Sequence, residues 1–262
     1  EALKLFDKYG LQVKIEDFSA GKFALQALIA GGVDLSLSGE FPLILASKSG
    51  KKIEVVTQVT DAETNEIRVV VNNTAFNITD IGKKQLKIAT SFGGGPHFYT
   101  YLLFKQLGLE LSDTDIISQR PEDMPVSLKT GAVDGVIVFE PYATIAEKIS
   151  NGRSIEVPQI KYTQKYVLSK LKNDHLASSE VLQIKTAISQ AVLFIEQNKE
   201  QAQEIVAART HVDLNVIRQI WDKFNFATEY STDLQEFWRL QHNWILAQDP
   251  SSKVTIPEIL SR

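Results

Sequence analysis

The chain has 262 residues, with 44% hydrophobic and 23% charged residues and a formal net charge of −4. That is the balance of a folded chain of one large or two ordinary domains, and it lacks the basic stripe of a nucleic-acid binder. No window carries the roughly 18 consecutive apolar residues of a membrane span, and with no cysteine there is no disulfide, thiol nucleophile or cysteine–metal site.

In chain order, "EALKLFDKYG" spaces Leu3, Phe6 and Tyr9 as a helix that stops at Gly10. It begins without Met or a signal segment, so further sequence is expected upstream. "QVKIEDF" alternates as a half-buried strand, and "KFALQALIAG" is a helix closed by Gly31. A strand at "VDLSLSG", a helix at "FPLILASKSG" with Pro42 in its first turn, and a strand at "KIEVVTQV" follow. From Asn65 the alternation resumes, with strands at "EIRVVVNN", "LKIAT", "DIISQ", "DGVIVF", "SIEVP" and "YVLSKL". Between them lie helices at "HFYTYLLFKQLG", "EDMPVSLKTG" and "PYATIAEKIS". Helices are then expected at 180–198, 200–209, 213–224 and about 233–248, and the tail "DPSSKVTIPEILSR" ends in a short helix. Alternating β and α elements predict parallel-rich sheets flanked by helices.

The chain repeats itself. Gly31, Val33, Asp34 and Glu40 of "GGVDLSLSGEFP" return as Gly131, Val133, Asp134 and Glu140 of "GAVDGVIVFEP". Residues 13–42 and 115–142 each read strand, helix, glycine stop, Val-Asp, strand, turn, helix, which favours two related lobes over one sheet reusing a common unit. Ligands of open α/β lobes sit beyond the C-terminal strand ends, so "SGEF" and "VFEP" are expected on opposite walls of one cleft.

"KIATSFGGGPHFYTYLLF" carries the strongest chemical signal. A strand ends near Thr90, Gly93, Gly94 and Gly95 follow, and Pro96 opens a helix. Successive glycine N–H groups can turn inward as a nest, and the helix start adds about half a positive charge, so Ser91 to Gly95 can hold an anion. Neither the dinucleotide nor the phosphate-loop glycine pattern is met, because Phe98 holds the third glycine position and no Gly-Lys-Ser/Thr follows. In "SGEFP", Ser38 offers a hydroxyl beside Gly39, and Glu40 either caps the helix or meets a ligand N–H. Glu140 carries the same ambiguity and leans towards the fold. Phe41, Phe92 and Phe139 are the aromatics placed to wall a ligand, and Phe98 and Tyr142 read as core. Trp221, Phe224, Phe226, Trp238 and Trp244 read as the core of the helical C-terminal part. The four histidines, 97, 175, 211 and 242, have no metal-site spacing; His97, just after the glycines, suits a neutral hydrogen-bonding role. No nucleophile elbow or catalytic triad is visible, and no metal or cofactor is expected.

"FSAGKFALQALIAGGVDLSLSGEFP", "LKIATSFGGGPHFYTYLLFKQLGL", "LKTGAVDGVIVFEPY" and "YVLSKLKNDHLASSEVLQIKTAISQAVLFIEQNKEQAQEIVAAR", in this order and spacing, resemble the substrate-binding proteins of ABC importers for nitrate, sulfonates, taurine and thiamine-pyrimidine precursors. The resemblance implies a two-lobed α/β periplasmic-binding-protein fold of type 2. Lobe one would be residues 1–59 plus 163–262 and lobe two 60–162, with hinge strands near Gln58–Thr60 and Gln159–Tyr162. Family members open with a further strand and ligand loop before the position of Glu1.

The family's ligand loops fall on Ser38, Gly39, Glu40 and Phe41, on Ser91, Phe92, Gly93, Gly94, Gly95 and His97, and on Phe139 and Glu140. The family's Trp-Glu-Pro stands here as Phe139-Glu140-Pro141, which keeps an aromatic wall without the indole N–H. The cysteine-rich signature of the pyrimidine-precursor binders is absent. The implied function is a periplasmic or cell-surface monomer that closes on a small anionic ligand and delivers it to an ABC importer permease. Two alternatives share the fold: a biosynthetic enzyme of menaquinone type using Glu40 and Glu140 as an acid/base pair, and a ligand-sensing domain of a signalling protein.

Overall fold

The computed structural model describes residues 2–72, 77–81, 86–110, 115–157, 160–172 and 174–260. In chain order its elements are α1 (Leu5–Lys8), α2 (Gly21–Ala30), β1 (Ser36–Gly39), α3 (Glu40–Ala46), β2 (Ile53–Ala62), β3 (Ile67–Val71), β4 (Lys87–Thr90), α4 (Gly95–Leu107), β5 (Asp115–Ser118), α5 (Met124–Thr130), β6 (Gly135–Phe139) and α6 (Tyr142–Ser150). They continue with β7 (Arg153–Ile155), β8 (Lys165–Leu171), α7 (Ser178–Gln197), α8 (Lys199–Thr210), α9 (Leu214–Ile220), β9 (Phe224–Phe226), α10 (Leu234–Gln248) and β10 (Glu258–Ile259). Asn73 of the expected strand "EIRVVVNN", Pro158 of "SIEVP", and Gln159 of the expected second hinge lie outside the described residues.

The chain divides into two compact units. The first comprises Glu1–Ala62, Lys165–Leu214 and Phe224–Arg262; the second comprises Glu63–Gln164 and Asn215–Lys223. The lobe boundaries expected at 59/60 and 162/163 compare with partings at 62/63 and 164/165, and the short return 215–223 joins the second unit.

In the first unit the strand order is β1-β8-β2-β10, with β9 also paired to β2. β8 runs antiparallel to both β1 and β2. Those two strands are therefore parallel to each other, as a β-α-β reading requires, but a strand from far along the chain separates them. This is why the sheet is largely antiparallel where alternation alone predicted parallel pairing. The core gathers Leu25 and Leu28 of α2, Phe41, Leu43 and Ile44 of α3, Val55 and Val56 of β2, Val167 of β8 and Trp238 of α10, all buried.

The second unit has the order β5-β4-β6-β3-β7. β4 pairs in parallel with β5 and β6, and β3 runs antiparallel to β6 and β7. The C-terminal ends of β4, β5 and β6 therefore lie at one edge, with the start of β3. Val70, Ala89, Met124, Leu128, Val133, Val136, Val138, Ala143 and Ala146 form its core under α5 and α6.

Both glycine stops of the repeat are present. Gly31 has φ +81° and Gly131 φ +74°, the left-handed cap that glycine adopts without a Cβ penalty. The next N–H folds back in each case, Gly32 to Ala27 O at 2.9 Å and Ala132 to Ser127 O at 3.0 Å.

Three expected elements differ. Residues 12–18 are not a strand: no sheet partner lies beside them among the described residues, and Val13 and Ile15 are each 42% exposed, so alternation here marks no buried face. The helix expected over 213–224 ends at Ile220, and the chain then forms β9 on the edge of β2. The tail carries β10 in place of a helix. Pro257 disfavours helical geometry at Ile256, and the Leu260 N–H donates to Val55 O at 2.9 Å, completing that edge. Of the expected C-terminal aromatic core, Trp221, Trp238 and Trp244 are buried, while Phe224 and Phe226 on the edge strand are half-buried. Trp221 belongs to the second unit. Among the described residues no helix is long and apolar enough to cross a membrane.

Candidate ligand-binding site

The glycine-rich turn lies in the second unit, at the edge where β4 ends. Thr90 fixes the strand end by donating its hydroxyl to Ile137 O of β6 at 3.1 Å. The chain then turns tightly: the Gly94 N–H donates to Ser91 O at 3.1 Å, and Gly93 takes φ +80°. Gly94 is the extended N-cap of the 13-residue α4, with Pro96 in the first turn. Gly95 is there for lack of room, since a Cβ would collide with the side-chain oxygen of Gln164 and stand 3.2 Å from Tyr162 Oη.

Ser91 is 1% exposed, and its Oγ has no hydrogen-bond partner among the described residues. A Cβ placed on Gly94 would lie 3.9 Å from that oxygen, so the hydroxyl lies beside the N-cap of α4. Buried hydroxyls are normally paired, and one left over at a helix N-terminus is a donor waiting for an acceptor. At the neighbouring strand end the backbone N–H of Gln119 donates to Thr90 O at 3.0 Å, and its buried Oε1, an acceptor, lacks a partner among the described residues. His97 accepts the Gly93 N–H on Nδ1 at 3.3 Å, and its ring stacks on Phe92, with centroids 4.7 Å apart and planes 18° off parallel. Phe92 is 41% exposed.

The two glutamates serve different surroundings. Glu40 is fully buried in the first unit. Its Oε2 accepts the Lys165 N–H at 2.9 Å, its Oε1 accepts from Gln241 Nε2 at 2.6 Å, and its carbonyl accepts the Trp238 indole N–H at 3.2 Å. Lys165 in turn sends its amine to Asp61 at 2.6 Å. Ser38 turns its hydroxyl onto Gly39 O at 3.2 Å, Gly39 pairs with Tyr166 in the sheet, and Phe41 packs on Trp244 at 5.6 Å.

Glu140, in the second unit, meets Arg68 at 3.0 Å and Lys223 at 2.5 Å, and its Oε2 accepts the Thr144 N–H at 3.0 Å, capping α6. Arg68 also bonds Glu147 at 2.7 Å. Burial pushes the Glu147 carboxyl up, but hydrogen bonds from Ser154 and Arg68 and the Arg68 charge outweigh it and hold the group below its usual range. Phe139 ends β6 half-buried, edge-on to Tyr142 at 5.6 Å.

The structure thus brings Ser91, Phe92, Gly93, Gly94, Gly95 and His97 together at one strand–helix turn, with Phe139 and Glu140 in the same unit. Ser38, Gly39, Glu40 and Phe41 belong to the first unit, where Ser38 meets Gly39, Glu40 meets Lys165 and Gln241, and Phe41 meets Trp244. Sequence reasoning passed over Gln119, Tyr162 and Gln164. A polar residue closing "DIISQ" was the available signal for Gln119; Tyr162 and Gln164 come from a distant turn and left none. Among the described residues, no group of three or more His, Cys, Asp or Glu could hold a metal ion.

Known proteins with similar sequence and structure are binding proteins. A Bacillus subtilis (strain 168) protein named for binding aliphatic sulfonates is 25% identical over 223 residues, covering 82% of this chain and 65% of that protein. This chain therefore spans about two thirds of the length of that relative. Among solved structures, the alkanesulfonate-binding protein from Xanthomonas axonopodis pv. citri bound to MOPS superposes with a TM-score of 0.84 at 16% identity, over 99% of this chain and 91% of that one. The periplasmic aliphatic sulphonate binding protein from Escherichia coli gives 0.77 at 20% identity, over 97% and 89%. The fold is thus the α/β periplasmic-binding-protein fold. Residues 1–211 match the pattern that defines the NMT1-like family, and the chain belongs to that family.

Proposed function

We propose that this chain is an extracytoplasmic solute-binding protein that holds a small organic anion of sulfonate type and delivers it to an ABC importer, acting as a binding protein and not as an enzyme. The observation that carries the reading is Ser91: a buried hydroxyl with no partner among the described residues, just ahead of the N-terminus of a long helix and beside three glycines. A sulfonate is ionised at every physiological pH, so it needs fixed neutral donors and no proton transfer, and a helix start with a hydroxyl supplies them. In this reading Ser91 to Gly95, His97 and Phe92 meet the ligand, with Phe139 nearby, while Ser38, Gly39, Glu40, Phe41 and Glu140 serve the fold. The sulfonate names borne by similar proteins support the ligand class, and the periplasmic and ABC-transporter wording in the names of some of them supports the location and the importer partner.

The test is a thermal-melt and calorimetric titration against ethanesulfonate, taurine, sulfate and nitrate. A ligand at 100 times its Kd stabilises the fold by about 2.7 kcal/mol. Ser91→Ala removes a hydrogen bond to a charged group and lowers affinity by about tenfold or more, as 1.5–3 kcal/mol implies. Gly94→Val fills the nest and abolishes binding. Sulfonate binding that survives both substitutions overturns the assignment of the site.

A further inference from the structure

The aromatic side chains around the turn differ in one respect. Phe98 is 1% exposed with Tyr162 edge-on at 5.4 Å, and Phe139 is half-buried beside Tyr142. Phe92 alone among them is 41% exposed, and it directly follows Ser91. It is nevertheless held: its ring lies nearly parallel to the His97 imidazole. His97 is in turn oriented by the Gly93 N–H on Nδ1. An imidazole accepting at Nδ1 is neutral and carries its proton on Nε2, which suits the positive end of a helix. Residues 92–97 therefore build a flat, uncharged slab of two stacked rings at the rim of the anion nest.

Phe92 is the next residue after Ser91, with Cα atoms about 3.8 Å apart, and its ring is the exposed aromatic surface next in the chain to that hydroxyl. A monatomic or tetrahedral inorganic anion has no group to cover that ring. A saturated tail covers it without matching its shape or its quadrupole, whereas an aromatic ring can stack on it in offset or edge-on fashion. The ring is already immobilised, so little side-chain freedom is lost on contact. Resting on the anion-site reading above, we infer that the ligand is an aromatic anion, a sulfonate or carboxylate carried on a planar ring, and that Phe92 on its His97 support selects the ring.

The experiment is isothermal titration of the intact chain with methanesulfonate, cyclohexanesulfonate and benzenesulfonate, repeated with Phe92→Ala and Phe92→Leu. Stacking predicts that benzenesulfonate binds about five- to tenfold more tightly than cyclohexanesulfonate, which has the same carbon count. That ratio falls towards one in both variants, and Phe92→Leu, which keeps apolar bulk, retains the preference of cyclohexanesulfonate over methanesulfonate. Equal affinity of the wild-type chain for the cyclic pair, or a benzenesulfonate preference that persists in both variants, overturns the aromatic assignment and leaves the anion site standing. Binding of none of the three overturns both.

Discussion

The two copies of the repeat meet the same problem with different chemistry. Each follows a strand with a glutamate and drives its carboxylate into the interior, Glu40 fully and Glu140 to 3% exposure. In the first unit the Glu40 carboxylate accepts from a backbone N–H and an amide. In the second it is balanced by Arg68 and Lys223, and it also caps a helix. A buried carboxylate can be satisfied either way, but the failures differ: losing Glu40 strands dipoles, whereas losing Glu140 strands cations. The aspartates diverge too. Asp134 accepts the Lys87 N–H at 2.8 Å and holds the start of β4, while Asp34 stands 61% exposed beside His175. Conserved spacing within one chain therefore marks a shared backbone path and not a shared role.

Substitutions sharpen the contrast. Glu140→Ala takes the carboxylate from Lys223 and leaves Arg68 with Glu147 alone, and costs about 3–5 kcal/mol. Urea unfolding should show that loss, and Arg68→Met in the Glu140→Ala background should restore part of it. Glu40→Ala leaves neutral donors unsatisfied and costs about 1–3 kcal/mol in the same assay. Equal costs at the two positions would erase the distinction drawn between the units.

Asp134→Ala costs about 0.5–1.5 kcal/mol for one hydrogen bond, whereas Asp34→Ala stays within ~0.5 kcal/mol of wild type. The smallest effect at neutral pH is that of two tyrosines, one in each unit. Burial pushes Tyr99 and Tyr230 up to about 12. A folded pKa above the unfolded value of about 10 gives stability that is complete below pH 10 and lost as pH rises through 12. Tyr99→Phe should flatten the alkaline limb of a melting-temperature profile while leaving pH 7 stability nearly unchanged; an unaltered limb would remove Tyr99 from the account.

Much of the architecture was legible in the residues. The glycine stops, Pro42 and Pro96 in first turns and the apolar strand runs carry local information, and local geometry is what they encode. Pairing is not local. Nothing in "YVLSKL" says that it separates two earlier strands, and nothing in "QVKIEDF" says that its alternation goes unused. At the turn after β4, the strand end, the glycine turn and the helix start were legible because they are contiguous in the chain. The partners of Glu40 and Glu140 lie on Lys165, Gln241, Arg68 and Lys223, which no spacing connects to them.

The insertion of β8 between β1 and β2 also orders events during synthesis. Ser36 and its partner Ser169 are 133 residues apart. At roughly 5–20 residues per second, the ribosome needs on the order of ten seconds to supply that partner. Through that interval the apolar strands of the first unit have no completed sheet to join, while nearly all of the second unit has already emerged. The nascent chain should therefore engage holdase chaperones through its first 62 residues, and release should follow the emergence of β8.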